Sequence, residues 1–343
     1  MRSSATHHRR CAPHSLASLL LTLAIGCAGG GDDGGATEST SSTGSTGATD
    51  ATTTGSSSSA ATDATTDTTT GSTGETTGSG GAADGEPCSA DLDCASKLCV
   101  EFRDHDPTAT CAAAPADGNT RFTGTILDIT AESEIAGAEL RVLDALTALQ
   151  NPAGAPVLID ATGDASGRVD VTTEERLPAG VGLVGLVVGE DLTPTTGMIA
   201  EPQANGAFGP GNTYHDLWVA PTETLTTWEA LLAGDAEVAP HLPLAAGGAV
   251  IGLVRDGGSG TPLAGATLVS EEPESAALVR YLSEGRDAFD GEATASHGLV
   301  LVVNPGLAEG FQLKLAGELV DDARAEARGA AGSIGAMILE VGS

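Results

Sequence analysis

Two short motifs occur twice in this chain, 128 residues apart, and this duplication limits the fold more than any other feature. Residues 124–128 (GTILD) align with 252–256 (GLVRD), and residues 135–140 (IAGAEL) align with 263–268 (LAGATL), without a gap. Around them, short runs of Val, Ile and Leu alternate with Gly, Pro, Asp and Asn, a pattern typical of many short strands. Self-similarity at a fixed period indicates a repeated structural unit. The sequence therefore predicts a duplicated, mainly β module.

Two further matches extend the duplication, with small changes of spacing that we attribute to loop insertions. Residues 164–168 (DASGR) match 287–292 (DAFDGE), and residues 177–180 (LPAG) match 307–310 (LAEG). The segment 164–167 is a turn of the Asp-x-x-Gly kind, and it leads into a predicted strand at 168–172 with alternating faces. The repeated glycines Gly137 and Gly265 each follow a turn and open a strand, where a positive φ or close packing is expected.

The order of these motifs resembles the carboxypeptidase regulatory-like domain, whose pattern runs G-x-V-x-D, P-L-x-G-A-x-V, T-D-x-x-G-x-F and L-P-x-G-x-Y. The second copy keeps PLAGA at 262–266, and the first has EIAGA at 134–138. The resemblance covers about residues 120–190 and 248–343. It implies two transthyretin/Ig-like β-sandwich modules of seven strands each. It implies no peptidase site, because this module normally accompanies catalytic domains.

The spacer between the copies, about residues 190–247, carries a predicted strand at 215–219 and a predicted helix at 222–233. The helix has Thr222 as its expected N-cap and Gly234 as its stop. Three apolar side chains fall on one helix face and are predicted to be core: Leu225, Trp228 and Leu232.

Two aromatic side chains before this helix, Tyr214 and Trp218, point to one side of the predicted strand. If the aliphatic side faces the core, they form an exposed aromatic platform for an envelope glycan or protein. The alternative is that they pack between the two copies.

The N-terminus is typical of an exported protein. Residues 1–26 combine three arginines with an apolar run of about half the length that a membrane-spanning helix needs, which favours a cleaved signal peptide. The sequence AIGC at 24–27 resembles a bacterial lipoprotein processing site, which implies lipid attachment at Cys27. Ala28 rather than Asp implies the outer membrane. Cleavage before Cys27 leaves 12 basic against 47 acidic side chains, a balance of −35.

That charge excludes general binding to nucleic acid or to anionic headgroups, since both require a basic surface. A lipid anchor at Cys27 would therefore be the contact with the membrane, through burial of its acyl chains. We expect no cofactor.

A Ser/Thr-rich segment follows. Residues 34–84 comprise 51 residues, of which 27 are Ser or Thr and none is Val, Ile, Leu, Met, an aromatic, Pro, Lys or Arg. Such a segment cannot bury enough apolar surface to offset the entropy of ordering it. The sequence predicts a disordered stalk, with a glycosylated mucin-like stalk as the alternative.

Four cysteines then occur within 24 residues: Cys88, Cys94, Cys99 and Cys111. In an exported chain this density predicts two disulfides, and three pairings are open. The alternative is a zinc site with His105 as an additional ligand, although the spacings fit zinc knuckles poorly. The patch resembles a short cysteine module of exported myxobacterial proteins, C-S-x-D-x-D-C-x-S-x-x-C, for which no general chemical function is implied.

No catalytic motif occurs: there is no G-x-S-x-G, H-E-x-x-H or P-loop. We therefore expect a non-catalytic cell-envelope lipoprotein whose modules serve structural or adhesive interactions. The expected organisation is a signal peptide (1–26), a lipid anchor and linker (27–84), a Cys-rich patch (85–117), a first sandwich with spacer (118–247) and a second sandwich (248–343).

Overall fold

The computed structural model describes residues 81–177, 182–201, 208–271, 278–306, 309–327 and 329–342. The predicted signal peptide, the proposed lipid site Cys27 and the Ser/Thr-rich segment up to residue 80 lie outside these residues. No helix in the described part is long and apolar enough to cross a bilayer.

The described chain is mainly β, as predicted. The strands are β1 Cys99–Val100, β2 Thr110–Cys111, β3 Arg121–Asp128, β4 Glu139–Asp144, β5 Val157–Thr162, β6 Arg168–Thr172, β7 Leu183–Val188, β8 Leu192–Thr193, β9 Thr195–Ala200, β10 Asp216–Pro221, β11 Val250–Asp256, β12 Ala266–Ser270, β13 Leu278–Tyr281, β14 Leu299–Val303, β15 Glu309–Leu315, β16 Glu318–Ala327 and β17 Ile334–Val341. The α-helices are α1 Ala145–Gln150, α2 Thr222–Leu232 and α3 Leu244–Gly247.

Two β-sandwiches are present. In the first, the sheet β6-β3-β10-β8 packs against strands β5-β4-β7-β9, around an apolar core that includes Phe122, Leu140 and Val187. In the second, strands β13-β14-β11-β17 pack against the sheet β12-β15-β16, around a core that includes Phe311 and Leu313. Both cores form because alternate side chains of each strand point inward.

The duplication is visible in the backbone. The first strand of each copy lies between an antiparallel and a parallel partner: β3 between β6 and β10, and β11 between β14 and β17. Gly137 (φ 72°) and Gly265 (φ 80°) both take the left-handed conformation, as the sequence predicted. After the first turn, equivalent residues of the two copies also make the same hydrogen bond: Ile135 N donates to Ile126 O, and Leu263 N donates to Val254 O.

One predicted match is wrong. Gly167 (φ 72°) corresponds in the structure to Gly298 (φ 67°), not to Gly291, because each accepts the amide of the first strand at the same point. Ile126 N donates a hydrogen bond to the Gly167 carbonyl, and Val254 N donates one to the Gly298 carbonyl in the same way. The second copy has an Ala at 295 where the first has Asp164, so no sequence signal marked the turn. The remaining match, 177–180 with 307–310, lies mostly outside the described residues.

The two sandwiches are joined in two ways. Strand β17 of the second copy pairs in parallel with β9 of the first, which makes one eight-stranded sheet in the order β13-β14-β11-β17-β9-β7-β4-β5. A third apolar core, shared by both copies and the spacer, lies on one side of β3, β10, β11 and β14. Strands β11 and β14 are consequently buried on both faces.

The spacer helix α2 supplies part of this third core. Its face of Leu225, Trp228 and Leu232 is buried, as predicted, and the Trp228 ring meets Phe289 edge-on at 5.5 Å. The N-cap is Pro221 rather than Thr222, and no side chain caps this end. Thr222 instead lies within the first turn, where its hydroxyl is 3.3 Å from that of Thr193.

Candidate functional site

The Cys-rich patch is cross-linked by the disulfides Cys88–Cys99 and Cys94–Cys111. The prediction of two disulfides is confirmed, and the structure selects one of the three open pairings. Because the four sulfurs are bonded in two pairs, none is a thiolate that could bind zinc. His105, the additional ligand in the zinc alternative, instead contacts Glu340 at 3.1 Å. Strands β1 and β2 pair at Cys99 and Cys111, so the disulfides fix the loop that leaves β1.

That loop reaches a buried arginine of the second sandwich. Arg255 Nη2 lies 2.9 Å from Asp104 Oδ2 of the patch, and Arg255 Nη1 lies 2.7 Å from Asp216 Oδ2 of the first sandwich. Arg255 also binds Glu340 of the neighbouring strand at 2.8 Å. Arg103 Nε binds the other oxygen of Asp216 at 2.8 Å. We call these five residues, Arg103, Asp104, Asp216, Arg255 and Glu340, the Arg255 cluster.

The Arg255 cluster connects three regions of the chain through desolvated charges. Arg255 is 4% exposed and Asp216 is 7% exposed. Burial alone would lower the pKa of Arg255, but its hydrogen bonds to Asp104 and Asp216 and their negative charges raise that pKa above its usual value. A guanidinium group with five donors suits this arrangement, since it serves several carboxylates at once. The cluster therefore fixes the patch and both sandwiches in one geometry.

A second polar group lies beside it, where Glu101 of the patch meets His215 of the first sandwich. His215 Nε2 is 3.2 Å from Glu101 Oε1, and His215 Nδ1 is 2.9 Å from the carbonyl oxygen of Thr123. Burial lowers the pKa of His215. Burial, together with the charges of Asp104 and other nearby acids, raises the pKa of Glu101 to about 7.

The pair is suited to holding one proton. The neutral His215 ring donates from Nδ1 to the Thr123 carbonyl and accepts at Nε2 from protonated Glu101, a tautomer that we assign from the hydrogen-bond partners. The Thr123 hydroxyl is also 3.2 Å from Nδ1, but that nitrogen carries the hydrogen and cannot accept the hydroxyl proton. Thr123 is also buried at 3% exposure, so these three residues connect the patch to the first sandwich and do not present a nucleophile.

The two aromatic residues singled out from the sequence do not form an exposed platform. Trp218 is 6% exposed and belongs to the third core between the copies, which was the alternative interpretation. Its parallel neighbour in β3 is Leu127, so the indole faces an apolar layer. Tyr214 is half-buried, and its hydroxyl donates to Glu201 at 3.0 Å. Both residues are among those that line a cavity of about 370 Å³.

Sequence reasoning missed the Arg255 cluster. Its signal was present, because the repeat places Arg255 where the first copy has Leu127, and a charge in an otherwise apolar strand requires partners. Its carboxylate partners were not identifiable, since Asp104, Asp216 and Glu340 are distant in sequence and come together only in the folded chain.

No protein-family model and no curated protein matches this chain. Solved structures match part of it at low identity. The TIE protein of Bacillus anthracis is 11% identical over 65% of this chain and 34% of its own length, with a TM-score of 0.18. The shaft pilin SpaA of Lactobacillus rhamnosus GG is 9% identical, over 66% of this chain and 98% of the pilin, with a TM-score of 0.19. The minor pilin GBS52 of Streptococcus agalactiae is 14% identical, over 65% and 97%, with a TM-score of 0.18.

This chain thus spans about a third of the TIE protein. At such identities and TM-scores, these neighbours say nothing about the partners or activity of this chain, which have to be inferred from its own residues.

Proposed function

We propose that this chain is a non-catalytic cell-envelope lipoprotein that presents its cysteine patch and two β-sandwiches as one rigid unit for structural or adhesive interactions. In this proposal, Cys27 carries the lipid, and the Ser/Thr-rich segment holds the folded part away from the outer membrane. The two sandwiches would correspond to the carboxypeptidase regulatory-like modules that their motifs resemble.

The observation that carries the structural role is the Arg255 cluster. Interfaces between domains of one chain are often small and permit relative motion. Here a buried guanidinium binds carboxylates of the patch, the first sandwich and its own module, each within 3 Å. A shared apolar core and a continuous sheet add to this connection. A unit built in this way transmits force or presents surfaces at fixed spacing, which suits a structural or adhesive part.

The acidic composition supports the anchoring part of the proposal. A mature chain with 12 basic and 47 acidic side chains is repelled by anionic headgroups, so it requires a covalent anchor to stay at a membrane. Two disulfides in a short patch suit an oxidising compartment outside the cytoplasm. Three acyl chains, as in the lipoproteins that the processing site resembles, would make release negligible.

The anchoring proposal is tested by growing cells that express the full chain with labelled palmitate. We expect label in the wild type and none in Cys27→Ser, with Cys11→Ser as the matched control, because Cys11 lies within the predicted signal. Fractionation should place the wild type with the outer membrane. Equal labelling of the wild type and Cys27→Ser, or recovery of the wild type as a secreted soluble protein, would refute the anchor.

The structural role is tested separately by calorimetry. We expect the two sandwiches to unfold in a single transition, because breaking the Arg255 cluster and the shared core exposes both. Two well-separated transitions, with one sandwich melting while the other stays folded, would contradict a rigid unit.

A further inference from the structure

The cavity beside Tyr214 and Trp218 lies where the two sandwiches meet. Its lining includes residues of β7 and β9 of the first copy, of β16 and β17 of the second, and of β10. Its volume of about 370 Å³ is at the lower end of the range for small-molecule sites. Such sites occur preferentially at domain interfaces, so both size and position favour a small ligand.

Part of this space exists because a side chain is missing from β9. Gly197 of β9 pairs with Gly185 of β7, where a Cβ atom would already meet Leu140 and Ile199 at 3.0 Å. A Cβ atom at Gly197 would have only the Ala336 Cβ within 4 Å, at 3.9 Å, and Gly197 does not have a positive φ. Glycine is therefore not required there by backbone geometry, and a larger side chain would extend into unfilled space.

The lining fixes the class of ligand. On the face of the sheet that Gly197 shares, the lining is mostly apolar and includes Val187, Ile199, Ala336 and Ile338. Of the charged residues in the lining, Asp104 and Asp216 are already neutralised by Arg255 and Arg103, whereas Glu201 places a negative charge beside the Tyr214 ring. An apolar body with a positive charge complements this lining, whereas a carboxylate or phosphate would be repelled.

An aromatic group favours the same class. The Tyr214 hydroxyl donates to the Glu201 carboxylate, so a ring and a carboxylate lie together in the lining, an arrangement suited to an ammonium group. Burial and the charge of Glu201 raise the pKa of Tyr214 to about 12, and the phenol stays neutral.

We propose that this cavity binds a small apolar molecule that carries an ammonium group. The proposal is independent of the lipid anchor, but it rests on the proposed rigid unit, because both sandwiches and the cluster residues Asp104 and Asp216 line the cavity. The two can fail separately, since the unit is tested by its unfolding transition and the cavity by binding of small probes.

The test is calorimetric titration of the purified full chain with three probes of equal chain length: hexyltrimethylammonium, hexanol and hexanoate. We expect hexyltrimethylammonium to bind at least about 10-fold more tightly than hexanoate, with hexanol between them. Glu201→Gln keeps an acceptor for the Tyr214 hydroxyl and removes the charge, so it should weaken hexyltrimethylammonium about 5-fold and leave hexanol unchanged.

The cavity itself is tested by filling it. Gly197→Val should reduce binding of all three probes at least about 10-fold, and Gly197→Ala by less, while Gly234→Ala, which lies in open space outside the cavity, should change nothing. The Ala variant keeps the test decisive if the Val variant fails to fold. Absence of hexyltrimethylammonium binding to the wild type, hexanoate binding as tight as the ammonium, or full affinity in Gly197→Val would overturn the proposal.

Discussion

The two sandwiches place different pairs of side chains at one equivalent position. In the first copy, Leu127 of β3 lies beside Trp218 of its parallel partner, and both are buried in the third core. In the second copy, Arg255 of β11 lies beside Glu340 at the same register, and they form an ion pair. The backbone pairing is the same, so the strand arrangement does not depend on these side chains.

The strand pairing accepts either pair of side chains, whereas the junction, by which we mean the contact of the Cys-rich patch and both sandwiches at the Arg255 cluster, depends on the ion pair. An apolar pair at this position adds to a shared core, and because hydrophobic burial is non-directional, it does not select one particular neighbour. A buried arginine has a large desolvation cost and is stable only when carboxylates surround it, so it selects one arrangement of the patch and the first sandwich. We infer that the side chains of the first copy at this position stabilise the unit by burying apolar surface, and that those of the second copy select the arrangement of the patch and the sandwiches.

The largest expected effect comes from making the second copy like the first. Arg255→Leu leaves Asp104 and Asp216 buried with a much-reduced positive charge near them. Removal of one partner of a buried ion pair costs about 3–5 kcal/mol. We therefore expect a loss of that size in the free energy of unfolding, measured by urea denaturation at pH 7.

The matched control is Arg121→Leu, which removes a surface pair with Asp170. Its cost should be below about 1 kcal/mol, because solvent screens exposed pairs. If both variants lose the same small amount, the Arg255 cluster contributes burial alone and the contrast between the copies disappears.

The next effect tests whether the patch belongs to the junction. Replacing Cys94 and Cys111 together by Ala removes a cross-link that spans 17 residues, for which the loop-entropy model gives about 3 kcal/mol. We expect hydrogen exchange to rise in all three of β10, β11 and β15 through the lower global stability, and to rise more in β10 and β11, which carry Asp216 and Arg255, than in β15. An equal rise in the three strands would mean that the patch has no local effect on the contact between the sandwiches.

A smaller effect should appear as a dependence on pH, at the contact that the patch makes with the first copy. The pKa of Glu101 rises from an ordinary 4.5 to about 7 in the folded chain, chiefly because of burial. Between these values the unfolded chain releases a proton that the folded chain keeps. The contribution of Glu101 to stability is therefore complete below about pH 4.5 and is lost as the pH rises to about 7.

Glu101→Gln removes this titration and keeps a group that donates to His215. We expect the variant to match the wild type near pH 4 and to be more stable by about 1–2 kcal/mol near pH 8, after allowance for partial solvent screening. The difference between the two denaturation curves across pH isolates Glu101 from His215. A constant difference, or a gain at pH 4 instead, would contradict a buried protonated Glu101.

Local sequence signals predicted local structure well. The strand at 168–172, the buried face of α2 with Trp228 and the occurrence of two disulfides are all present in the structure. Each depends on neighbouring residues or on simple chemistry, such as alternation, helical periodicity or cysteine density.

What the sequence did not predict depends on distant residues. The parallel pairing of β17 with β9 joins residues about 140 apart, and nothing in either strand specifies the other. The partners of Arg255 are spread from Asp104 to Glu340. The third strand of each copy also differs, since β5 extends the sheet of β4 while β13 pairs with β14. Such choices follow from the packing of the whole unit.

The smallest expected effect tests the part of the repeat that both copies share. Gly137 and Gly265 have positive φ, and the space that a Cβ atom would occupy at each is open, so the cost of alanine there is backbone strain alone. We expect Gly137→Ala and Gly265→Ala each to lower the free energy of unfolding by about 1 kcal/mol. Gly234→Ala, also in open space but without a positive φ, should be neutral or slightly stabilising. Unequal losses at Gly137 and Gly265 would mean that the two copies differ in this turn, although their hydrogen bonds match.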